Sequence, residues 1–178
     1  MRSRSAHSRR AGRVSIVRRG RGLGGDSSGK SAPLSGGTAG DLMSPRDRQF
    51  VRERANARCE YCHFHEDHLP LWPFHLDHIV AQQHLGPDEP TNLAWACQRC
   101  NLCKGTNLMG VDPDSSRIVA LFNPRTDRWD EHFVLEASRI VGVTPTGRAT
   151  AWLLQMNTDQ RVELRGALLA SGRWHEPR

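Results

Sequence analysis

No run of 18 apolar residues occurs in the 178-residue chain, so no membrane-spanning helix is expected. Aromatic residues are scarce at 6%, and the hydrophobic fraction is only 37%. Part of the chain therefore lies outside any core. Acid is missing from the first 25 residues, which hold eight arginines. Large apolar residues are nearly missing from residues 1–41, which are rich in Arg, Ser and Gly. Residues 1–43 thus read as a disordered basic tail. No apolar run follows the basic start, so a secretory signal is not expected, and glycines break the long amphipathic helix of an organelle transit peptide. No internal repeat is found.

The charge that remains is nearly balanced. From Asp26 onward there are 17 basic and 19 acidic side chains, so the net charge of +6 comes from the tail. Overall basicity is therefore no argument for a DNA-binding domain. The tail either adds affinity for phosphate by counterion release or is an unstructured appendage. It also holds Gly24-Gly25-Asp26-Ser27-Ser28-Gly29-Lys30-Ser31, the pattern of a phosphate-binding loop. That motif works only between a buried strand and a helix N-terminus. Here Val14-Ser15-Ile16-Val17 is a poor strand and Pro33, Gly36 and Gly37 stop a helix, so nucleotide binding is not expected.

The length suits one domain with an appendage. Ser44-Pro45 reads as an N-cap with proline in the first turn, opening a helix to about Ala57 with Phe50 and Val51 as its apolar residues. Residues 75–80 alternate as a strand. Asn92-Leu93-Ala94-Trp95-Ala96 leads into Cys97, and a helix follows from about Cys100. Beyond Gly110, residues 117–122, 129–136 and 139–143 suggest strands. Thr144-Pro145 caps a helix whose apolar face runs from Ala149 to Met156. Asn157-x-x-Gln160 resembles a capping box for a last helix, with Val162, Leu164, Leu168 and Leu169 as its apolar side. Residues 44–110 and 111–178 are accordingly expected to be a metal-bearing unit and an accessory extension packed on it.

Four of the five cysteines form two pairs, Cys59-x-x-Cys62 and Cys97-x-x-Cys100. Two such pairs suit one tetrahedral zinc in a reducing compartment better than disulfides. A four-thiolate site has no open position, so it should hold the fold rather than catalyse, and can supply much of the folding free energy of a small unit. Cys103 is the spare, read as a free buried cysteine.

Between and just after the pairs lie Asp77-His78, Asn92 and Asn101-x-x-Lys104-Gly105. Phosphodiester hydrolysis needs a positioned water, charge neutralisation at phosphate and help for the leaving oxygen. A histidine suits the first task and a carboxylate-held divalent ion the other two. Taken singly, Asp77 also reads as a turn residue and His78 as a buried, satisfied histidine. Lys104 either contacts phosphate or faces solvent. Arg99 is a phosphate contact or a surface arginine. His75 shares a strand face with Asp77 and ligates metal, contacts phosphate or merely packs. Arg125, Trp129, His132 and Arg148 either line a DNA groove or pack.

The run Asp77-His78-Ile79, Asn92-Leu93 and Cys97-x-x-Cys100-Asn101-x-x-Lys104-Gly105 resembles the HNH endonuclease family in its zinc-stabilised form, over about residues 58–106. Leu121-Phe122-Asn123-Pro124-Arg125, Trp129-x-x-His132-Phe133 and the segment from Gly142 to Thr150 resemble the C-terminal extension of many bacterial members. The resemblance implies an α+β fold: a beta-beta-alpha metal finger with structural zinc and a C-terminal α+β extension. It implies His78 as general base, Asp77 as metal-ligating acid and Asn92 as the loop brace. Asn101 stands where many members have a ligating histidine, and its amide oxygen suits a hard ion, magnesium or manganese. The expected function is a divalent-metal-dependent DNA endonuclease acting on double-stranded DNA, as a cytoplasmic monomer or homodimer. The alternatives are a non-catalytic zinc nucleic-acid-binding module and a zinc-held protein-interaction module.

Overall fold

The computed structural model describes residues 44–174; the basic tail and its phosphate-loop pattern lie outside the described residues. Helix α1 (Pro45–Arg54) starts as its sequence dictates. The Ser44 side chain accepts from the Asp47 backbone N–H, and Pro45 occupies the first turn. Val51 is fully buried while Phe50 is exposed. Strand β1 (Phe74–His78) pairs antiparallel with β2 (Leu93–Cys97), and helix α2 (Gln98–Lys104) follows directly. This is a beta-beta-alpha finger.

The register explains how the finger packs. His75 lies opposite Ala96 and Asp77 opposite Ala94. Side chains alternate across a strand, so this face of the hairpin carries two alanines, which leave room for α2. Lys104 at the end of α2 reaches Asp77 across it. The other face carries Phe74 and Trp95, whose rings stack with centroids 6.0 Å apart. From α1, Arg48 lies over Trp95 and donates to the Phe74 carbonyl. Arg54 donates to the Leu93 carbonyl.

Beyond α2 the chain forms a hairpin of β3 (Met109–Val111) and β4 (Ile118–Ala120), a helical turn α3 (Trp129–His132), and a hairpin of β5 (Phe133–Glu136) and β6 (Arg139–Gly142). Two helices follow, α4 (Pro145–Leu153) and α5 (Asp159–Ala170). The boundary expected at 110/111 falls inside β3. Phe122, Phe133, Ile140, Leu154, Met156 and Leu168 join Cys59, Tyr61, Phe64 and Trp95 in one hydrophobic cluster. Thr144 caps α4 by accepting from the Gly147 N–H, as its position before Pro145 suggests.

Several expectations fail in the extension. Residues 129–132 are helical, and only Phe133 onward is strand. Asn157 forms no capping box. Its amide pairs with both backbone groups of Ile140, and Thr158 occupies the N-cap without a side-chain bond. The buried residues of α5 are Arg161, Arg165 and Leu168, while Leu169 is exposed. Arg125, Trp129, His132 and Arg148 each take a partner within the fold. Arg125 pairs with Glu60, Trp129 donates to the Tyr61 carbonyl, His132 bonds Thr144, and Arg148 grips Asp112 and Asp114. No helix among the described residues is long and apolar enough to cross a membrane.

Candidate active site

The cysteine pairs converge. The Sγ atoms of Cys59, Cys62, Cys97 and Cys100 all lie within 4.8 Å of one another and are buried. A zinc with bonds of about 2.3 Å to four thiolates separates its sulfurs by about 3.8 Å, and Cys62 and Cys97 stand 3.7 Å apart. The set therefore fits a tetrahedral zinc. Among the described residues it is the only group of three or more His, Cys, Asp or Glu side chains whose ligand atoms so converge. Cys103 on α2 is partly exposed and outside it.

Residues from α5 complete this centre, and no sequence motif marks them. Arg161 directs Nη1 at the Cys97 sulfur (3.8 Å) and Nη2 at the Cys100 sulfur (3.7 Å). Arg165, fully buried, stacks its guanidinium 5.1 Å from the Phe64 ring centroid and donates to the Ser138 and Met156 carbonyls. A buried guanidinium needs an anion. The anion beside Arg161 is the thiolate cluster, whose charge with a divalent metal is negative.

Strand β1 ends at His78, and that ending lets neighbours from opposite faces share one opening. Leu76, Asp77, His78, Ala81, Gln82, Gln83, Asn101, Gly105 and Thr106 line a cleft of about 360 Å³. Asn101 projects from α2 into this cleft, and its side chain makes no hydrogen bond with the described residues.

Asn92 braces the loop between the strands. Its Oδ1 accepts from the Val80 N–H (2.9 Å), while Nδ2 donates to the carbonyls of Val80 (2.9 Å) and Pro87 (3.0 Å). Its own carbonyl accepts from the Ile79 N–H, next to His78. The loop closes so tightly that a Cβ on Gly86 would lie 1.7 Å from the Val80 carbonyl oxygen.

Asp77 is not a free carboxylate. It is 4% exposed. Its Oδ2 accepts from the Tyr61 hydroxyl at 2.5 Å and its Oδ1 from Lys104 Nζ at 3.1 Å. Burial pushes its carboxyl above the usual value, against the opposing pull of Lys104 and Tyr61. Lys104 also donates to the His78 carbonyl at 2.7 Å. At 2% exposure it neither contacts phosphate nor faces solvent, which corrects both readings of it.

The other expected nucleic-acid contacts also stand apart from the cleft. His75 shares the face of Asp77, but its Nε2 is buried and without a partner, and it is not among the residues that line the cleft. Arg99 is exposed and lines a different, largely apolar groove with Leu69, Trp72, Leu102 and Leu164.

His78 has a partner that no motif marks. Its Nε2 lies 2.5 Å from Oδ1 of Asp88. Gln82 Nε2 donates to both oxygens of that carboxylate, each at 2.8 Å. The imidazole is partly exposed in the cleft, with 22% of its side-chain surface accessible.

Residues 59–107 match the family model of the HNH endonuclease. Comparison with curated proteins and with solved structures yields no match. The matched stretch holds the finger, the four-cysteine centre and the His78 cleft. This stretch is an HNH endonuclease domain whose four-cysteine cluster is consistent with the zinc-stabilised branch, and that assignment implies metal-assisted phosphodiester hydrolysis.

Proposed function

We propose that this HNH endonuclease domain cuts double-stranded DNA, with His78 as the general base. The observation that carries the reading is the placement of His78: partly open to a cleft and bonded through one ring nitrogen to Asp88. A proton passes from water to the imidazole as the water oxygen attacks a backbone phosphorus. The bond from phosphorus to the 3′ oxygen breaks, and that oxygen takes up a proton from solvent. Asn92 holds the loop that follows His78 and carries Asp88, and so acts on the base through geometry.

Among the residues that line the cleft, Asp77 and Asn101 are the ones we assign as hard oxygen donors for a divalent ion. One carboxylate and one amide suit magnesium or manganese shared with substrate oxygens better than a permanently bound ion. Such an ion supplies charge neutralisation at the phosphate. Lys104 already balances Asp77, so the ion's arrival with the substrate fits the site better than prior loading.

The second reading, a zinc-held nucleic-acid-binding module without catalysis, draws on that same occupancy of Asp77 by Lys104 and Tyr61. A thiolate zinc centre suits a reducing compartment, and the cytoplasm is proposed on that ground. Both a monomer and a homodimer suit the site, since a double-strand break needs two cuts.

Supercoiled plasmid incubated with protein and magnesium or manganese, beside His78→Ala, tests the reading. Nicked or linear product that disappears in the variant supports it. Intact plasmid under every divalent ion, with DNA binding retained, selects the module instead.

A further inference from the structure

We propose that Asp88 is a positioning residue that sets the tautomer and ring angle of His78, leaving Nδ1 as the nitrogen that meets the cleft's water. The inference rests on the reading of His78 as the base, and deepens it.

An ionised carboxylate only accepts hydrogen bonds. The short contact between Asp88 Oδ1 and His78 Nε2 therefore places the imidazole proton on Nε2. In a neutral ring the other nitrogen then carries the lone pair. An imidazole with this much exposure would otherwise sample both tautomers and both ring flips. One fixed acceptor on one nitrogen removes that freedom, and a carboxylate also stabilises the imidazolium that forms when a proton is taken.

Asp88 is itself held in place, which separates it from an incidental surface acid. Gln82 clamps both of its oxygens from the opposite arm of the loop. The adjoining Pro87 carbonyl is tied to Asn92 Nδ2. Gly86 permits the close approach to Val80 that brings the loop back toward the strand end, because any Cβ there would overlap the Val80 carbonyl. Three separate fixtures thus return a residue ten positions downstream to the ring of His78.

The test uses the zinc-loaded full chain, labelled with nitrogen-15, at a pH where the ring is neutral. Long-range proton–nitrogen correlations read the tautomer of His78, identified by its loss in His78→Ala. Wild type is expected to carry the proton on Nε2, and Asp88→Ala to shift toward a tautomer mixture. Plasmid cleavage by Asp88→Ala should show kcat lowered on the order of 10- to 100-fold with KM nearly unchanged. Asp88→Glu should restore part of the rate, and Gln82→Ala should fall between. Zinc content and circular dichroism confirm that each variant folds.

A wild-type proton on Nδ1 overturns the proposal, as does a tautomer and kcat indifferent to Asp88→Ala. A wild type that cuts no DNA but shows an Asp88-dependent Nε2 proton overturns the nuclease reading and supports the positioning of His78.

Discussion

The Tyr61 hydroxyl donates to Asp77 Oδ2 at 2.5 Å, tying the first cysteine knuckle to the strand that carries His78. Tyr61 sits between Cys59 and Cys62 and is 1% exposed. Burial and the Asp77 charge push its phenol well above the ordinary value, so it remains the donor. Tyr61→Phe leaves a buried carboxylate oxygen without this donor. The expected loss is roughly 1–3 kcal/mol, read from urea unfolding at fixed zinc. An unchanged midpoint would show that the bond adds nothing.

Lys104 is the buried counter-charge of Asp77, so Lys104→Met strands an anion in the core. Removing one partner of a buried pair typically costs about 3–5 kcal/mol, which thermal unfolding would report. In the cleavage assay at low temperature, the manganese concentration giving half-maximal rate should fall, because a competing cation has been removed from Oδ1. A half-saturation point that rises would contradict competition.

Arg161 should raise the affinity of the cysteine centre for zinc, since its guanidinium faces two of the sulfurs. Arg161→Met is expected to weaken zinc binding about 10- to 100-fold. Competition against a chromophoric chelator measures it without reference to catalysis. Hydrogen exchange along α5 in the wild type should speed up when zinc is withdrawn. An exchange pattern confined to residues before 110 would separate the extension from the metal.

Asp112 connects stability to acid. Its hydrogen bonds from Arg148 and Ser115 hold its carboxyl well below the usual carboxylate range. The folded form therefore binds the proton less readily than the unfolded chain. The stabilisation is fully present above the ordinary carboxylate value, and is lost as pH falls below it toward the depressed folded value. The stability gap between wild type and Asp112→Asn should be widest near neutrality and shrink toward pH 3. Comparing the two proteins at each pH cancels the shared effect of acid on the zinc thiolates. A gap that is constant with pH argues against the linkage.

Gly86→Ala should displace the loop that carries Asp88, because the new Cβ meets the backbone of Val80 rather than a movable side chain. Cleavage should fall while zinc content is preserved. The test is the rate at saturating DNA beside metal content by atomic absorption; full activity would mean the loop relaxes freely.

Much of the finger was legible because its signals are local. Cysteines three apart can share one ion, and Ser44-Pro45 and Thr144-Pro145 announce helix starts through their own backbone chemistry. Asp77, His78 and Asn101 were readable as chemical groups, and the structure gathers them at one cleft. The last helix misled because arginine is normally a surface residue. Its apolar stripe suggests the buried face, whereas Arg161 and Arg165 turn inward toward thiolates and carbonyls that come from distant parts of the chain. Lys104 misleads for the same reason: its partner lies 27 residues away.

By itself the sequence determined the metal-ligand set, the helix caps and the candidate reacting groups, since each depends on residue type and short spacing. Only the tertiary structure decided the pairings. It matched Lys104 and Tyr61 to Asp77, Asp88 to His78, and Arg161 to the cysteines. The pairings at Asp77 and Arg161 arise where packing removes water from charged groups, so that each buried charge must take a partner the folded chain brings within reach, whereas Asp88 meets His78 in the open because the Asn92-braced loop returns it to the strand end.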